Sequence, residues 1–425
     1  MNYVLYEILL HLTFLILSPY FLLKMCMKYR EGVFERLGVV SKEKIKGLNN
    51  KKVLWIHAVS VGETMAVMPV VRLIKKKRPE LKFLFSTTTK TGQAVAEKEG
   101  TGLIDALIYL PFDFSWAVRP IIKNARPLAF ATVEKDIWPN LFRGLKRSGI
   151  PIMVVNGNLS DRSYKRYRIL KFFFKEVFGS VAYYCGQTEK DRQRAIDLGV
   201  AAFRALAIGN IKFDLRPADR DKGHAGLLKD ALGINHAERI IVAGSTHKGE
   251  EEAMLNAFKT LKQESGEPIK LIIAPRHPER FSEVQATIEK AGFKPARRSR
   301  SEKGPVIMLD TIGELLTAYS FADVAFVGGS LIAGIGGHNL LEPAFFGKPV
   351  LYGPYLGAYE QMAGMLEAKG AGFMVRDEKG IYEAVRALLK DEELREKAGA
   401  AAKKVVEENS GASEKTVKLI EGFLR

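Results

Sequence analysis

The residues with the clearest chemical potential are two glycine-rich stretches followed by an asparagine and a glutamate. The sequence reads FVGGS at residues 326–330 and GGHNLLEPA at residues 336–344. Glycines let backbone N–H groups approach a phosphate closely, and a helix capped by Asn339 would direct its N-terminus towards that phosphate. Glu342, in the first turn of the helix, could accept hydrogen bonds from both hydroxyls of a ribose. The pattern predicts a nucleotide site, and the alternative is a capped helix after a glycine-rich turn.

A second candidate follows the first predicted strand of the chain. Residues 60–64, SVGET, come directly after the apolar run at residues 53–57. Gly62 permits a tight turn, and Glu63 then opens the next helix at the mouth of the sheet. Glu63 could serve there as a general base, which must reach a hydroxyl and be ionised near neutral pH; we expect a glutamate to be ionised without tuning. The alternative is simple capping of the helix N-terminus.

Two acidic residues and a lysine extend this candidate site. Glu134 and Asp136 follow the predicted strand at residues 128–131, and they point the same way if the strand persists. Trp138 is more often a packing residue than a platform for a ligand. Lys212 lies at the predicted boundary between two domains, where its cation could reach a departing phosphate. The alternative for Lys212 is an isolated, solvated surface lysine.

Three more polar loops follow predicted strands in the second half of the chain. Residues 244–251, GSTHKGEE, open a helix and suggest a cradle for phosphate or carboxylate. In the loop at residues 275–281, Arg276 offers a planar fork suited to the same groups. Residues 310–315, DTIGEL, could expose backbone groups to a base. From these loops and the glycine-rich stretch we take further donor-site candidates: Ser245, Thr246, His247, Gly329 and Ser330.

The order of predicted elements indicates an α/β protein. Short β-branched runs alternate with amphipathic segments beyond residue 50, which is typical of parallel sheets covered by helices. The segment at residues 209–214 and the polar stretch at residues 216–223 separate two such series. We predict two Rossmann-like domains facing a cleft, at residues 26–208 and 209–425, the second with a C-terminal helix. Residues 413–424 form that helix, which could return to the first domain.

Composition narrows the class of partner. Lys and Arg number 65 against 48 Asp and Glu, which leaves a net charge of +17 and indicates a polyanionic partner. A nucleic-acid partner is not expected, because the sequence has no helix-turn-helix, zinc or RNP-type motif. The two cysteines, Cys26 and Cys185, make no disulfide framework, which fits a reducing compartment.

The N-terminus favours a lipid surface. Residues 8–23 are almost all apolar and are bounded by Glu7 and Lys24. We predict a membrane anchor over residues 1–25, either spanning the bilayer or lying in its interface, and the basic residues that follow place the rest on the cytoplasmic side. The alternative is a helix packed against the first domain.

Taken together, these motifs resemble those of the 3-deoxy-D-manno-octulosonic acid (Kdo) transferases of Gram-negative bacteria, which act on lipid A precursors. The resemblance runs over nearly the whole chain and includes HAVSVGE, WPN, KFD, GSTHKGEE, PRHPERF, DTIGEL, FVGGS and GGHNLLEPA. It implies a GT-B glycosyltransferase fold and an inverting transfer from CMP-Kdo to a phosphorylated lipid A precursor, lipid IV(A). It also implies no metal or cofactor, an anionic membrane surface as partner, and a place at the cytoplasmic face of the bacterial inner membrane.

The resemblance also implies roles for single residues. Glu63 matches the catalytic base of the family, and Glu134 and Lys212 match positions that stabilise the transition state. The positions that match CMP contacts are Pro275, Arg276, Ile312, Gly313, Glu314, Asn339, Leu340, Leu341 and Glu342.

Two departures from the family pattern leave the number of transferred Kdo residues open. Lys135 stands between Glu134 and Asp136 where the family usually has Glu-Thr-Glu, and residues 355–359 lack the usual His and Asn. The alternatives to this family are another two-domain glycosyltransferase or a sugar-nucleotide epimerase, and, outside enzymes, a nucleic-acid-binding protein suggested only by charge.

Overall fold

The structure is a computed structural model that describes residues 3–27, 32–48, 51–215, 224–235, 237–264, 266 and 268–424. It contains two compact units: Met1–Leu215 together with Asn409–Arg425, and Arg216–Glu408. Each unit is built on one parallel seven-stranded sheet with helices between the strands. The predicted α/β fold class is confirmed. The polar stretch at residues 216–223, predicted as part of the domain boundary, lies outside the described residues.

The sheet of the first unit has the strand order β3-β2-β1-β4-β5-β6-β7. Its strands are β1 Val53–His57, β2 Lys82–Thr87, β3 Ala106–Tyr109, β4 Ala129–Val133, β5 Ile152–Gly157, β6 Val181–Gly186 and β7 Ala205–Ala207. Its helices are α1 Tyr3–Met27, α2 Val33–Arg36, α3 Lys42–Ile45, α4 Val61–Lys77, α5 Lys90–Glu99, α6 Ser115–Ala125, α7 Pro139–Arg147, α8 Asp161–Ile169, α9 Lys171–Phe178, α10 Glu189–Leu198 and α19 Ala412–Glu421.

Both faces of this sheet are covered, as the unbroken apolar runs predict. In β1, Val53 and Trp55 enter the core on one face, and Leu54 and Ile56 enter the core on the other. Cys185 in β6 is a buried free thiol. The side chain of Cys26 lies outside the described part of the chain.

The chain returns to the first unit at its end, which moves the predicted domain boundary. The carboxylate of Asp214 accepts hydrogen bonds from the backbone N–H groups of Gly411 (2.5 Å) and Ser413 (2.6 Å). Val417 and Ile420 of α19 are buried in the core of the first sheet. Residues 209–215 and 409–425 therefore belong to the first unit, not to a second domain at 209–425, because a long-range contact outweighs position in the sequence.

The apolar N-terminal run lies within α1, whose first turns pack against the first unit. Tyr3 is buried, and the hydroxyl of Tyr6 donates to Asp113 Oδ2 (3.0 Å). The apolar side chains exposed along α1 are Val4, Leu5, Ile8, Leu9, Leu12, Leu15, Ile16 and Leu17. Within the described part of the chain, no helix combines the length and the apolar character that crossing a membrane requires. The packed alternative therefore holds for the start of α1, and the anchor stays a prediction.

The sheet of the second unit has the strand order β10-β11-β9-β8-β12-β13-β14. Its strands are β8 Arg239–Thr246, β9 Ile269–Pro275, β10 Pro295–Arg297, β11 Val306–Met308, β12 Val324–Val327, β13 Val350–Tyr352 and β14 Gly372–Met374. Its helices are α11 Ala225–Leu232, α12 Glu250–Glu264, α13 Phe281–Lys290, α14 Leu315–Ser320, α15 Leu341–Phe345, α16 Glu360–Ala368, α17 Glu378–Lys390 and α18 Glu392–Asn409.

Candidate active site

Glu63 lies where β1 ends and α4 begins, as the sequence predicts. Ser60 is the N-cap of α4, and its hydroxyl accepts from the N–H of Glu63 (3.4 Å). The carboxylate of Glu63 turns back and accepts from the N–H of Val59 (2.7 Å). Ser60 therefore caps the helix, and the hydrogen bond from Val59, just before this cap, fixes the carboxylate of Glu63 at the carboxyl edge of the sheet.

The environment of Glu63 changes its protonation. The residue is 7% exposed, and burial, followed by the negative charges of Asp136 and Glu134, raises its pKa to about 8. The expectation that Glu63 is ionised without tuning is therefore wrong, because much of it is protonated at neutral pH. A carboxylate with a raised pKa holds an acquired proton more tightly, which suits a group that must take a proton from a hydroxyl.

Glu134 and Lys212 meet as an ion pair in the first unit. Lys212 Nζ lies 2.7 Å from Glu134 Oε1, and the two side chains are 13% and 12% exposed. Glu134 has a left-handed backbone with φ 62°, an uncommon conformation for a residue with a side chain. The solvated-lysine alternative for Lys212 is therefore wrong: it pairs with the glutamate that the sequence also selected.

Amide side chains hold this ion pair in place. Asn156, at the end of β5, donates from Nδ2 to Glu134 Oε1 (3.4 Å) and accepts at Oδ1 from the N–H of Ile211 (3.0 Å). The side chain of Asn210 accepts from the N–H of Lys212 (3.0 Å). These amides connect the ends of β4, β5 and β7. Asn156 is not among the predicted site residues, and its only signal in the sequence is that a polar residue ends an otherwise apolar strand.

Asp136 lies beside a buried histidine, without a hydrogen bond between the two side chains. Its Oδ2 lies 3.8 Å from His57 Nε2, and neither atom has a hydrogen-bond partner among the described residues. Burial lowers the pKa of His57 to about 4, and burial raises that of Asp136 to about 7. Trp138 packs partly buried against the core, which confirms its packing interpretation.

In the second unit, the predicted loops follow four neighbouring strands. The strands β11, β9, β8 and β12 are adjacent in the sheet and parallel. Since the carboxyl ends of parallel strands share one edge, all the candidate donor residues come to that edge. The sequence predicts that each of these loops follows a strand, but it does not predict that the four strands are neighbours in one sheet.

The glycine-rich turn does not hold free amides for a phosphate. The buried carboxylate of Glu250 accepts from the N–H groups of Gly329 (2.7 Å), Ser330 (3.0 Å) and Leu331 (3.0 Å), and also from that of His247 (2.9 Å). Gly329 has φ 71°, which brings its N–H towards this carboxylate. The prediction that these amides cradle a phosphate is therefore wrong, since an internal anion occupies them.

Other candidates in these loops have mainly structural positions. Ser245 has a left-handed backbone with φ 54° at a β-bulge of β8, where the register with β9 shifts. Thr246 is buried, and its carbonyl accepts from the N–H of Arg276 (3.0 Å). Arg280 forms a two-pronged bond to Glu251, at 2.8 and 3.2 Å. These contacts fix the loops.

A pair of histidines lies among these loops. The Nε2 atoms of His247 and His338 are 2.9 Å apart, and the rings are stacked. Burial, then the cations of Arg276 and the neighbouring histidines, lowers the pKa of His338 to about 4. Burial and His277 also lower the pKa of His247, so the pair is neutral near pH 7. Within the described residues, no group of three or more His, Cys, Asp or Glu side chains could hold a metal ion.

Arg276 and Glu342 are electrostatic neighbours. Burial raises the pKa of Glu342 to about 7, while the side chain of Asn339 and the charge of Arg276 act against the rise. Glu342 lies in the first turn of α15, as predicted. The N-cap is Leu340 and not Asn339, although Asn339 Oδ1 still accepts from the N–H of Leu341 (3.2 Å). Arg276 is exposed and forms no ion pair in the part of the chain that the structure describes.

The loop after β11 presents an apolar tip on a fixed base. Glu314 pairs with Arg298 (2.9 Å) and accepts from the hydroxyl of Thr311. Gly313 has φ 96°, and Ile312 beside it is 82% exposed. The short turn thus holds the apolar side chain of Ile312 exposed to solvent, where it can pack against a flat ligand such as a nucleotide base.

Comparison with known proteins identifies the family. Residues 31–215 match the family model described as 3-Deoxy-D-manno-octulosonic-acid transferase (kdotransferase), and residues 240–405 match glycosyl transferases group 1. The chain is 32% identical over 404 residues to the 3-deoxy-D-manno-octulosonic acid transferase of Haemophilus influenzae, covering 93% of this chain and 92% of the relative. The chain belongs to the Kdo transferase family. It is accordingly a glycosyltransferase.

Two further comparisons show a second relative that is similar in sequence and a solved structure that is similar in fold. The chain is 32% identical to the Kdo transferase of Bordetella pertussis over 87% of each chain. A solved UDP-GlcNAc 2-epimerase from Neisseria meningitidis covers 87% of this chain and is itself fully covered, with a TM-score of 0.63 and 14% identity. This second likeness is one of fold alone, and it agrees with the predicted GT-B class. The activity carried by the Kdo transferase family belongs to lipopolysaccharide biosynthesis.

Proposed function

We propose that this Kdo transferase moves Kdo from CMP-Kdo to a hydroxyl of a phosphorylated lipid A precursor, lipid IV(A), with inversion at the anomeric carbon. The observation that carries the proposal is Glu63: a buried carboxylate with a pKa of about 8, fixed by the N–H of Val59 at the carboxyl edge of the first sheet. Family membership supplies the sugar and the reaction class.

In the proposed reaction, Glu63 acts as general base. It takes the proton from the acceptor hydroxyl as that oxygen forms a bond to the anomeric carbon of Kdo. The bond from that carbon to the phosphate oxygen breaks, and CMP leaves with the electron pair from the opposite face. Only the ionised form of Glu63 can do this, so the pKa of about 8 makes the reaction faster on the alkaline side of neutral.

The ion pair of Lys212 and Glu134 supports the departure of CMP. The ammonium group of Lys212 is held 2.7 Å from Glu134, and from this position it can offset the negative charge that develops on the leaving phosphate. Glu134 then positions the ammonium group, with Asn156 holding Glu134 in turn.

The second unit supplies the donor contacts in this proposal. Arg276 is exposed and binds the phosphate or the Kdo carboxylate as a planar fork. Glu342 accepts from the ribose hydroxyls, and Ile312 packs against cytosine. The remaining contacts come from the backbone and side chains of the same loops: Pro275, Gly313, Glu314, Asn339, Leu340 and Leu341.

The proposal places the enzyme on the cytoplasmic face of the bacterial inner membrane. The exposed apolar side chains of α1 can lie in the interface, and the net charge of +17 attracts anionic lipid. Neither a metal nor a cofactor enters the mechanism, because Lys212 and Arg276 supply positive charge. Transfer that persists with EDTA supports this point, and loss restored by Mg²⁺ contradicts it.

The decisive experiment incubates the full chain with CMP-Kdo and tetra-acylated lipid A precursor. Mass spectrometry then reports whether the acceptor gains Kdo and how many residues are added, and NMR of the product reports the anomeric configuration. We expect gain of Kdo with inverted configuration. No gain with wild type, or a retained configuration, would overturn the proposal.

A further inference from the structure

A groove of about 800 Å³ lies in the first unit between α1, α6 and α7. Its floor is apolar and includes Val118 and Ile122 of α6 and Ile150 after α7. Gly144 of α7 also lines it, and a Cβ atom at this position would lie 2.8 Å from Ile122 Cδ1. The groove therefore depends on a helix position without a side chain, and its volume lies in the range of ordinary ligand sites.

Positive charge surrounds this apolar floor. The lining includes five basic side chains: Arg119, Lys123, Arg126, Arg143 and Arg147. None of them forms an ion pair with an acidic side chain in the described residues; Arg143 instead lies over the ring of Tyr3, at 4.3 Å from its centroid. The carboxylate of Glu7 also lines the groove, but it accepts from Ser115 Oγ (2.8 Å) and Asn140 Nδ2 (2.5 Å).

An apolar floor with a rim of cations is complementary to an anionic amphiphile. Nucleic acid would need stacking faces and a continuous basic track, and an apolar ligand would gain nothing from five cations. Acyl chains gain by leaving water, and phosphates gain by meeting guanidinium groups. The groove therefore fits a lipid that carries phosphate.

The position of the groove indicates which phosphorylated lipid is its ligand. It is lined by Ser115 and Asn140, at the N-terminal ends of α6 and α7. These helices follow β3 and β4, so their N-terminal ends lie at the carboxyl edge of the sheet, the edge that carries Glu63 and Glu134. The groove runs from this edge along α6, a helix about 16 Å long.

We propose that this groove binds an acyl chain of the phosphorylated lipid acceptor, and that its rim cations hold an acceptor phosphate. The inference rests on the proposed function, because it assigns a subsite to the acceptor of that reaction. The chain fixes the lipid so that its sugar hydroxyl reaches the carboxyl edge of the sheet.

A photo-crosslinking experiment tests the location without turnover. The full chain in detergent micelles is irradiated with a phosphorylated lipid A precursor that carries a diazirine near the end of an acyl chain. We expect label on peptides of α6 and α7, displaced by unlabelled precursor but not by the same amount of phosphatidylglycerol. Label elsewhere, or equal displacement by phosphatidylglycerol, overturns the proposal, the latter because the groove would then take bulk lipid.

Two variants test the floor and the rim separately. Gly144→Leu fills the floor, and we expect KM for the acylated acceptor to rise on the order of tenfold with kcat unchanged. Its control is Gly226→Leu in α11, a helical glycine with open space around it. Lys123→Glu reverses one exposed rim charge and should raise KM about threefold, against Lys146→Glu outside the groove as control.

The outcomes separate this inference from the proposed function. If both variants transfer Kdo at the wild-type rate with unchanged KM, the groove is not an acceptor subsite, and the proposed function still stands. Absence of transfer by wild type removes the function, while the crosslink still reports on the groove. If Gly144→Leu does not fold, Lys123→Glu and the crosslink still test whether the groove binds the acceptor.

Discussion

The two units carry their candidate residues at the same place, the carboxyl edge of a parallel sheet, and burial favours the neutral forms of acids and histidines at both edges. The units differ in the chemical groups that each edge presents. In the first unit, burial raises the pKa of Glu63 and of Asp136, so that carboxyl groups hold protons near neutral pH. In the second unit, burial lowers the pKa of His338 and His247, which keeps them neutral beside the exposed cation of Arg276. The first edge is suited to proton transfer, and the second to holding an anion.

The comparison also separates two uses of a carboxylate at a helix start. Glu63 accepts one backbone N–H at 2.7 Å and keeps a raised pKa. Glu250 accepts four backbone N–H groups and is completely buried. The same residue type at equivalent points of two sheets is a candidate base in one and a structural hydrogen-bond acceptor in the other, and the two residues differ in the number of backbone N–H groups that they accept from.

The largest expected effect is loss of the base. Glu63→Gln keeps the shape of the side chain but cannot accept a proton, so transfer should fall ~10²–10⁴-fold. CMP affinity, measured by calorimetry, should stay unchanged because the CMP contacts lie in the other unit. Transfer above about a tenth of the wild-type rate would remove Glu63 from this role.

Glu250→Ala should be the most damaging change at the second edge. It leaves buried N–H groups of residues 329–331 without an acceptor, and we expect the second unit to lose about 3 kcal/mol or more of stability. Thermal unfolding with and without CMP measures this loss. Since Glu252 on the same helix is exposed, Glu252→Ala is the matched control. Unchanged stability of Glu250→Ala would show that the glycine-rich turn does not depend on this anion.

Glu342→Ala should weaken CMP binding by roughly 1–3 kcal/mol, the range for hydrogen bonds that involve a charged group. Acceptor affinity should be unaffected. Calorimetry with CMP measures the effect, and a matched titration of the folded variant with acceptor is the control. Unaltered CMP affinity would leave Glu342 with a structural position only.

Removal of residues 1–25 should leave a folded but less stable first unit. Asn140 Nδ2 and the N–H of Ser115 lose the carboxylate of Glu7, so we expect a loss of about 1–2 kcal/mol. Binding to anionic vesicles at high ionic strength should fall. Transfer to acceptor in detergent should survive with a raised KM for the acceptor, because α1 forms one wall of the proposed groove. Glu7→Gln in the full chain separates the lost hydrogen bonds from the lost helix. Failure of the truncated protein to fold would make α1 part of the core.

The smallest predicted effect concerns pH. Because only ionised Glu63 is active, log kcat/KM should rise with slope one and level off above a pH of about 8. Asp136→Asn removes a negative charge near Glu63 and lowers the pKa of Glu63, so the rise should move to lower pH. Lys135→Gln, which removes a cation that lowers the same pKa, should move the rise to higher pH. Shifts in the same direction for both variants would contradict this electrostatic account.

The candidate residues could be predicted to follow strands, where the structure also has them, because apolar runs and the loops after them are local features of the sequence. Glu63, Glu134 and Lys212 were predicted separately, and the pairing of Glu134 with Lys212 came only from the fold. The role of Glu250 could not be predicted from the sequence, because it binds backbone N–H groups that lie about 80 residues later in the chain. The strands β7, β10 and β14 were missed because each is a three-residue edge strand with too few residues to show a pattern.

The hydrogen bonds from Gly411 and Ser413 to Asp214 give the chain the topology of a domain insertion. Close to the points where the chain leaves and re-enters the first unit, the side chain of Asp214 is hydrogen-bonded to the backbone of Gly411, at 2.5 Å. During synthesis, the first unit therefore waits for its last helix until the whole second unit has been translated. Conversely, residues 216–408 can be exchanged for a short linker, or for another donor-binding domain, without stretching the backbone of the host.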